Sequence, residues 1–179
     1  EPLKVNLILA QEINVPEGIE PIQWYMVTNI GVKSFEDILE KIKWYVQRWK
    51  IERFHYILKS GCKIEELQSA DAKRLKKLIL MYSVIAARIL CITYYAREMP
   101  QAPCEIIFEE EEWAVLYRIT NKTSKSPPIA PTMKEAVAYL AKLGGFLGRK
   151  GDGEPGVEVI WRGLRELSTV LQYYKHLTP

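Results

Sequence analysis

The chain has 179 residues, 48% of them hydrophobic, and a formal charge of +3 at pH 7. That length holds one substantial domain or two small ones, and the apolar share supports a packed core and excludes wholesale disorder. The net charge is too small to argue for nucleic acid by itself, so only local clusters of charge bear on partners.

Three cysteines, Cys62, Cys91 and Cys104, show no Cys-x-x-Cys spacing, and the two histidines, His55 and His176, lie far apart. The count argues against a disulfide framework and a zinc site, and free thiols in a reducing cytoplasm are the expectation. No basic segment followed by a long apolar run opens the chain, so a signal peptide is not expected. The first residue is not Met and a strand-like pattern starts at once. A piece of a longer protein is therefore expected.

In chain order, Leu3, Val5, Leu7 and Leu9 alternate with Lys4 and Asn6, which suits a half-buried strand. Pro and Gly punctuate NVPEGIEP, and QWYMVTN supplies a second strand over residues 23–29. Ser34 and Asp37 form a capping-box pattern. Phe35, Ile38, Leu39, Ile42, Tyr45, Val46 and Trp49 then recur at helical spacing, predicting a helix from about Ser34 to about Lys59 that stops at Ser60-Gly61.

A second helix is predicted from Ser69 or Asp71 to about Glu98, ahead of Pro100. Its run LILMYSVIAARILCITYYA approaches the ~20 apolar residues of a membrane span. Arg88 sits in the middle of it, and a central Arg costs about 2.5–3.5 kcal/mol on insertion scales. A buried core helix and no membrane are expected.

The acidic run Glu109–Glu112 suits the positive end of a third helix, with Trp113, Leu116 and Ile119 on its apolar face. NKTSKSPPIAP reads as a linker. Thr132 and Glu135 open a fourth helix that Gly144 and Gly145 close. After the glycine-dense FLGRKGDGEPG, a last amphipathic helix carries Trp161, Leu164, Leu167, Leu171 and Tyr174. These apolar residues pack either within the chain or against a partner. The fold class is mainly α with a small β element.

One stretch concentrates chemistry: YVQRWKIERFHYILKSG, residues 45–61. On a helix turning about 100° per residue, Tyr45, Arg48, Glu52 and Lys59 share a stripe roughly 60° wide. A carboxylate there can bind Mg²⁺ or Mn²⁺ through oxygen, and flanking Arg and Lys can grip phosphates. The same residues also read as an ordinary exposed pair, since Arg48 and Glu52 are i,i+4 neighbours worth about 0.3–0.5 kcal/mol. Spacing alone leaves both readings open.

Tyr-x-x-Arg-x-x-x-Glu-x-x-x-x-x-x-Lys at Tyr45, Arg48, Glu52 and Lys59 resembles the Y-R-E-K pattern of DDE-type insertion-sequence transposases of the IS-four family. QWYMVTN resembles the strand before that family's catalytic helix, and LGGFLGRKGDGEPG with the Trp161 helix resembles its C-terminal region. The resemblance implies an RNase H-like core whose two Asp and one Glu bind Mg²⁺ or Mn²⁺. Glu52 would be the third acid, with Tyr45, Arg48 and Lys59 handling transposon-end DNA. Trp24 would fall where the family receives a flipped base. The family works as a homodimer that joins transposon ends to target DNA by hydrolysis, hairpin closure and strand transfer.

The sequence also departs from that pattern. Its three aspartates, Asp37, Asp71 and Asp152, are not on a strand ahead of Glu52. The chain therefore resembles the C-terminal part of such an enzyme, with residues 1–66 closing the catalytic core and 67–179 forming a helical DNA-contact and dimerisation domain. Since a lone carboxylate cannot assemble a two-metal site, it is expected to be inactive alone. Lys63, Lys73 and Arg74, with Lys76 and Lys77 beside them, are candidate DNA contacts. As a solvated helix start these charges would oppose the dipole, whereas phosphate would give them a purpose. The glycine loop carrying Arg149 and Lys150 lacks the ending of a P-loop and reads as a connector with incidental DNA contact. The expected location is the bacterial cytoplasm, on the nucleoid when DNA is bound. The alternative is a non-catalytic DNA-binding or dimerisation module that inhibits transposition.

Overall fold

The computed structural model describes residues 2–69 and 71–177, with side chains described only as far as Tyr173. The chain divides into two compact units, Glu1–Lys50 and Ile51–Pro179.

In the first unit, β1 (Asn6–Gln11) and β2 (Gln23–Thr28) pair antiparallel, from Asn6 opposite Thr28 to Gln11 opposite Gln23. Glu12 closes the open end. Its N–H donates to the Ile22 carbonyl at 2.8 Å and its carboxylate accepts from the Ile22 N–H at 3.2 Å. Ile8 and Met26 face each other and are buried, whereas Leu7, Leu9, Tyr25 and Val27 are exposed. The leucines that mark the strand in the sequence thus point outward. Both faces of residues 6–11 are apolar, so alternation alone could not choose between them. Trp24, on the Ile8 face, meets Tyr45 and fixes which side turns inward.

Helix α1 (Phe35–Tyr56) starts where the capping pattern placed it. Ser34 Oγ accepts the Asp37 N–H at 3.2 Å, and Asp37 Oδ2 accepts from Ser34 N–H at 3.1 Å and Lys33 N–H at 2.8 Å. None of its residues is buried. α geometry ends at Tyr56, earlier than the predicted Lys59, and a π turn over Ile57–Gly61 follows. Cys62 N–H donates to Ile57 O at 2.8 Å across that wider turn. Ile57 becomes fully buried, and a Cβ on Gly61 would touch Val157 at 3.4 Å, so packing accounts for the departure from α geometry.

The second unit holds α2 (Ala72–Glu98), α3 (Glu110–Asn121), α4 (Met133–Leu143) and α5 (Val157–Leu177) around one core. Phe108, Leu116, Met133, Leu140, Ile160 and Leu167 are its largest fully buried side chains besides the isoleucines of α2 and the π turn. The boxes at Glu109/Glu112 and Thr132/Glu135 both form. Pro103 bridges Thr132, with Met133 N–H on Ala102 O at 2.8 Å, which ties the approach to α3 onto the start of α4.

The expectation that α2 is a buried core helix needs correction. It buries only Ala86, Ile89 and Ile92, while Leu80, Met81 and Val84 are exposed. The other helices of this unit cover one side of it and leave the rest open. Arg88 turns toward α3, where its Nη2 donates to Glu112 Oε2 at 2.6 Å. That carboxylate also accepts the Glu109 N–H at 3.1 Å, so a single acid caps α3 and anchors α2. By length and composition α2 is apolar enough to cross a bilayer.

α4 and α5 approach unusually closely. A Cβ on Gly144 would lie 2.1 Å from Val159 O, and one on Gly163 would lie 2.2 Å from Leu140 O. No side chain larger than hydrogen fits either place.

Candidate nucleic-acid interface

The predicted DNA-handling residues fall in both units. In the first, the ring of Trp24 on β2 meets that of Tyr45 on α1 edge-on, with centroids 5.7 Å apart and planes at 60°. Arg48 lies one turn on from Tyr45, with its guanidinium 5.4 Å from that ring and 5.7 Å from the Trp49 ring. Trp24 is half-buried, while Tyr45, Arg48 and Trp49 are exposed. Two aromatic rings beside a guanidinium can stack a base and hold its phosphate.

In the second unit, Glu52 stands on the last turns of α1 and is exposed, not packed into the core. Its neighbour Arg53 covers the Tyr56 ring at 5.1 Å. Lys59, carried by the π turn, forms an ion pair with Glu65 at 2.7 Å. A π turn holds one more residue than an α turn, so Lys59 is set back from the azimuth a straight α-helix would give it. Lys63 pairs with Glu66 at 3.6 Å. Sequence reasoning missed these two acids, although the Lys-x-x-Glu spacing of Lys63 and Glu66 was a usable signal. Both pairs are well exposed, so each contributes at most about 1 kcal/mol and a phosphate oxygen can replace the carboxylate.

Lys73 and Arg74 begin α2 and are exposed with Lys76 and Lys77. Asp71 Oδ1 caps this helix by accepting Lys73 N–H at 2.9 Å, which offsets the unfavourable placement of cations at a positive helix end. Asp37 caps α1, and Asp152 Oδ2 accepts Arg149 N–H at 2.7 Å in the glycine loop. All three aspartates therefore bind backbone N–H groups. The Asp152 contact, with Gly148, Gly151 and Gly153 at positive φ, makes that loop a built turn.

Hard divalent cations take about six oxygen ligands. Among the described residues no three His, Cys, Asp or Glu side chains converge to hold a metal ion. Glu52 offers one carboxylate, so the described residues do not fit Mg²⁺ or Mn²⁺ as a self-contained site. The burial of Cys62 and Cys104 pushes both thiols up, Cys104 to about 11, and leaves Cys91 as the exposed thiol.

The apolar face of α5 belongs to the core of its own unit. Leu164 and Leu167 are buried there, and Trp161 and Leu171 pack against them. Tyr174 lies outside the described side chains.

Residues 84–176 match the family model of the transposase Tn5 dimerisation domain. The chain belongs to this family. The match takes in the latter part of α2, α3, α4 and nearly all of α5, which makes the four-helix unit a Tn5-type dimerisation domain and the chain the C-terminal region of a Tn5-type transposase. A homodimer is the assembly such a domain supports.

Proposed function

We propose that the chain is the C-terminal part of a cut-and-paste DNA transposase of the IS-four type. The observation that carries this reading is the Tn5 dimerisation domain over residues 84–176. Earlier in the chain come α1 and the π turn with their Tyr45, Arg48, Glu52 and Lys59 spacing. In this reading Glu52 is one acid of a DDE site whose two aspartates come from elsewhere. Tyr45, Arg48, Lys59, Lys63, Lys73, Arg74 and Trp24 contact transposon-end DNA, in the cytoplasm and away from any membrane. The exposure of Glu52 and of the cations, and the Trp24–Tyr45–Arg48 cluster, support it.

Gel shifts with transposon-end duplex across a salt series test DNA contact. Binding should weaken steeply with salt, and Arg48→Ala or Lys73→Ala should each lower the slope by about one. Salt-independent binding, or none, would remove the assignment. The purified chain should leave the same duplex uncut in Mg²⁺ or Mn²⁺, because one carboxylate cannot place two metals. Nicking that is lost in Glu52→Gln would show a complete site and overturn the inactive-fragment reading.

A second reading follows from the pairing of a dimerisation domain with an incomplete acid set: a module that inhibits transposition by forming mixed dimers. Titrating the chain into the complete transposase should then depress strand transfer, and no effect at excess chain would exclude it.

A further inference from the structure

The second unit carries a groove that none of the proposed DNA contacts lines. It lies between the end of α2, one face of α4 and the glycine loop, and its volume of about 500 Å³ is that of a binding cleft. Ala96, Val137, Ala138 and Ile160 give it an apolar floor, and Phe146 and Leu147 line it from the loop. Backbone bonds fix its frame. Lys134 N–H donates to Pro100 O at 3.1 Å, and Phe146 N–H donates to Ala141 O at 2.8 Å. Arg97 Nε donates to Glu154 Oε2 at 2.7 Å, which straps the loop to α2.

Charge on this groove is patterned. Lys134, Ala138 and Lys142 follow at steps of four along α4, so they form one stripe, and all three line the groove and are exposed. Glu154 is engaged by Arg97, whereas neither lysine has an ion pair among the described residues. Lys134 also stands in the first turn of α4, where a cation opposes the helix dipole and an incoming anion would relieve it. Eight residues of helix separate the two lysines, about 12 Å at 1.5 Å per residue. Four residues of extended chain span about 13 Å. In such a chain residues i, i+2 and i+4 share a face. Acids at i and i+4 then reach the two lysines. The residue between them points at Ala138, whose single methyl group leaves room for an apolar side chain. A DNA duplex gains less here, because its phosphates interact with cations and not with an apolar floor.

We infer that this groove takes an extended peptide segment of a partner protein, with an acidic residue at each end and an apolar residue midway. The acids pair with Lys134 and Lys142, and the middle side chain lies over Ala138 against Val137 and Ile160. Glu154 is the one acid on the lining, and its pairing with Arg97 offsets its repulsion of the incoming carboxylates.

Fluorescence anisotropy tests this with a rhodamine-labelled, end-blocked pentapeptide, Glu-Thr-Leu-Thr-Glu, and the 179-residue chain. Saturable binding that weakens with salt is expected. Lys134→Ala and Lys142→Ala should each weaken it about fivefold, as for exposed ion pairs. Ala138→Trp should block it by filling the floor, and replacing the central Leu of the peptide by Ser should weaken it. The chain with Lys134→Glu and Lys142→Glu should lose this peptide and gain Lys-Thr-Leu-Thr-Lys, which a chain that had merely unfolded would not do. All three positions are exposed, so the helical circular dichroism should be retained. Failure of the wild-type chain to bind the acidic peptide would overturn the inference. So would binding that Ala138→Trp and both lysine changes leave unaltered, or binding that is equally strong with Gln at both ends of the peptide. A random-sequence DNA duplex that binds through Lys134 and Lys142 while the peptide does not would assign the face to nucleic acid instead.

Discussion

At the scale of single residues, carboxylates on helix starts do much of the local work. Glu135 accepts from the Thr132 N–H and hydroxyl at 2.9 and 2.8 Å, and Asp37 accepts from Lys33 and Ser34. Hydrogen bonds from Thr132 hold the Glu135 carboxyl below its usual range, and backbone bonds from Lys33 and Ser34 do the same for Asp37. Both groups have lower pKa values folded than unfolded. Their contribution is therefore present above the unfolded carboxylate value near 4 and fades as pH falls through the folded value. Denaturant melts between pH 6 and 2 should show stability dropping below about pH 4, with a shallower drop in Glu135→Gln. Removing the cap oxygen in Thr132→Ala should cost about 1 kcal/mol at neutral pH. Glu112→Gln keeps an acceptor for the Glu109 N–H but takes the charge from Arg88. A loss of about 1–3 kcal/mol in a denaturant titration is expected, and no change would mean that the Arg88 contact contributes nothing.

At the scale of elements, the caps at Ser34/Asp37 and Thr132/Glu135 were legible because each lies within one turn, whereas the acidic run Glu109–Glu112 marked a helix start through its charge and not through the capping box it forms. Helix starts and the two strands followed from them and from periodicity. What periodicity could not supply was the neighbour of each face. The leucines of β1 read as the inward side of a half-buried strand, yet Leu7 and Leu9 face out, and α1, located by its apolar spacing, has no buried residue. α2 read as core all round, and only one side is. The π turn escaped as well, since its Gly61 packs beside Val157, far along the chain. In the candidate site, Tyr45, Arg48 and Glu52 could be placed on one helix from spacing. The contact of Trp24 with Tyr45 and the pairing of Lys59 with Glu65 depend on how distant segments meet. The glycines of α4 and α5 support a sharper forecast. Gly163→Ala would press a methyl group onto the Leu140 carbonyl, and overpacking of this kind costs about 1–3 kcal/mol or more. A thermal melt checks it, and an unchanged midpoint would mean that the helices separate freely.

At the scale of the whole molecule, the two compact units differ in what supports them. The second has a continuous core running from Ile57 through Leu167. The first has Ile8 and Met26 as its buried apolar residues and a two-stranded sheet, an arrangement that is marginal in water without further cover. Native-state hydrogen exchange should therefore protect the amides of α3, α4 and α5 most and those of β1 and β2 least. Equal protection in both units would contradict this difference in support. Addition of the remaining parts of a transposase should raise protection in β1 and β2 if these strands belong to a larger sheet.

The bare contact between Gly144 and Gly163 reaches beyond either residue. Where two backbones touch with nothing interposed, their spacing no longer depends on the bulk of surrounding side chains. Sequence drift along the rest of α4 and α5 can then alter surface charge or polarity while the separation of the two rods stays constant, as at a bolted joint.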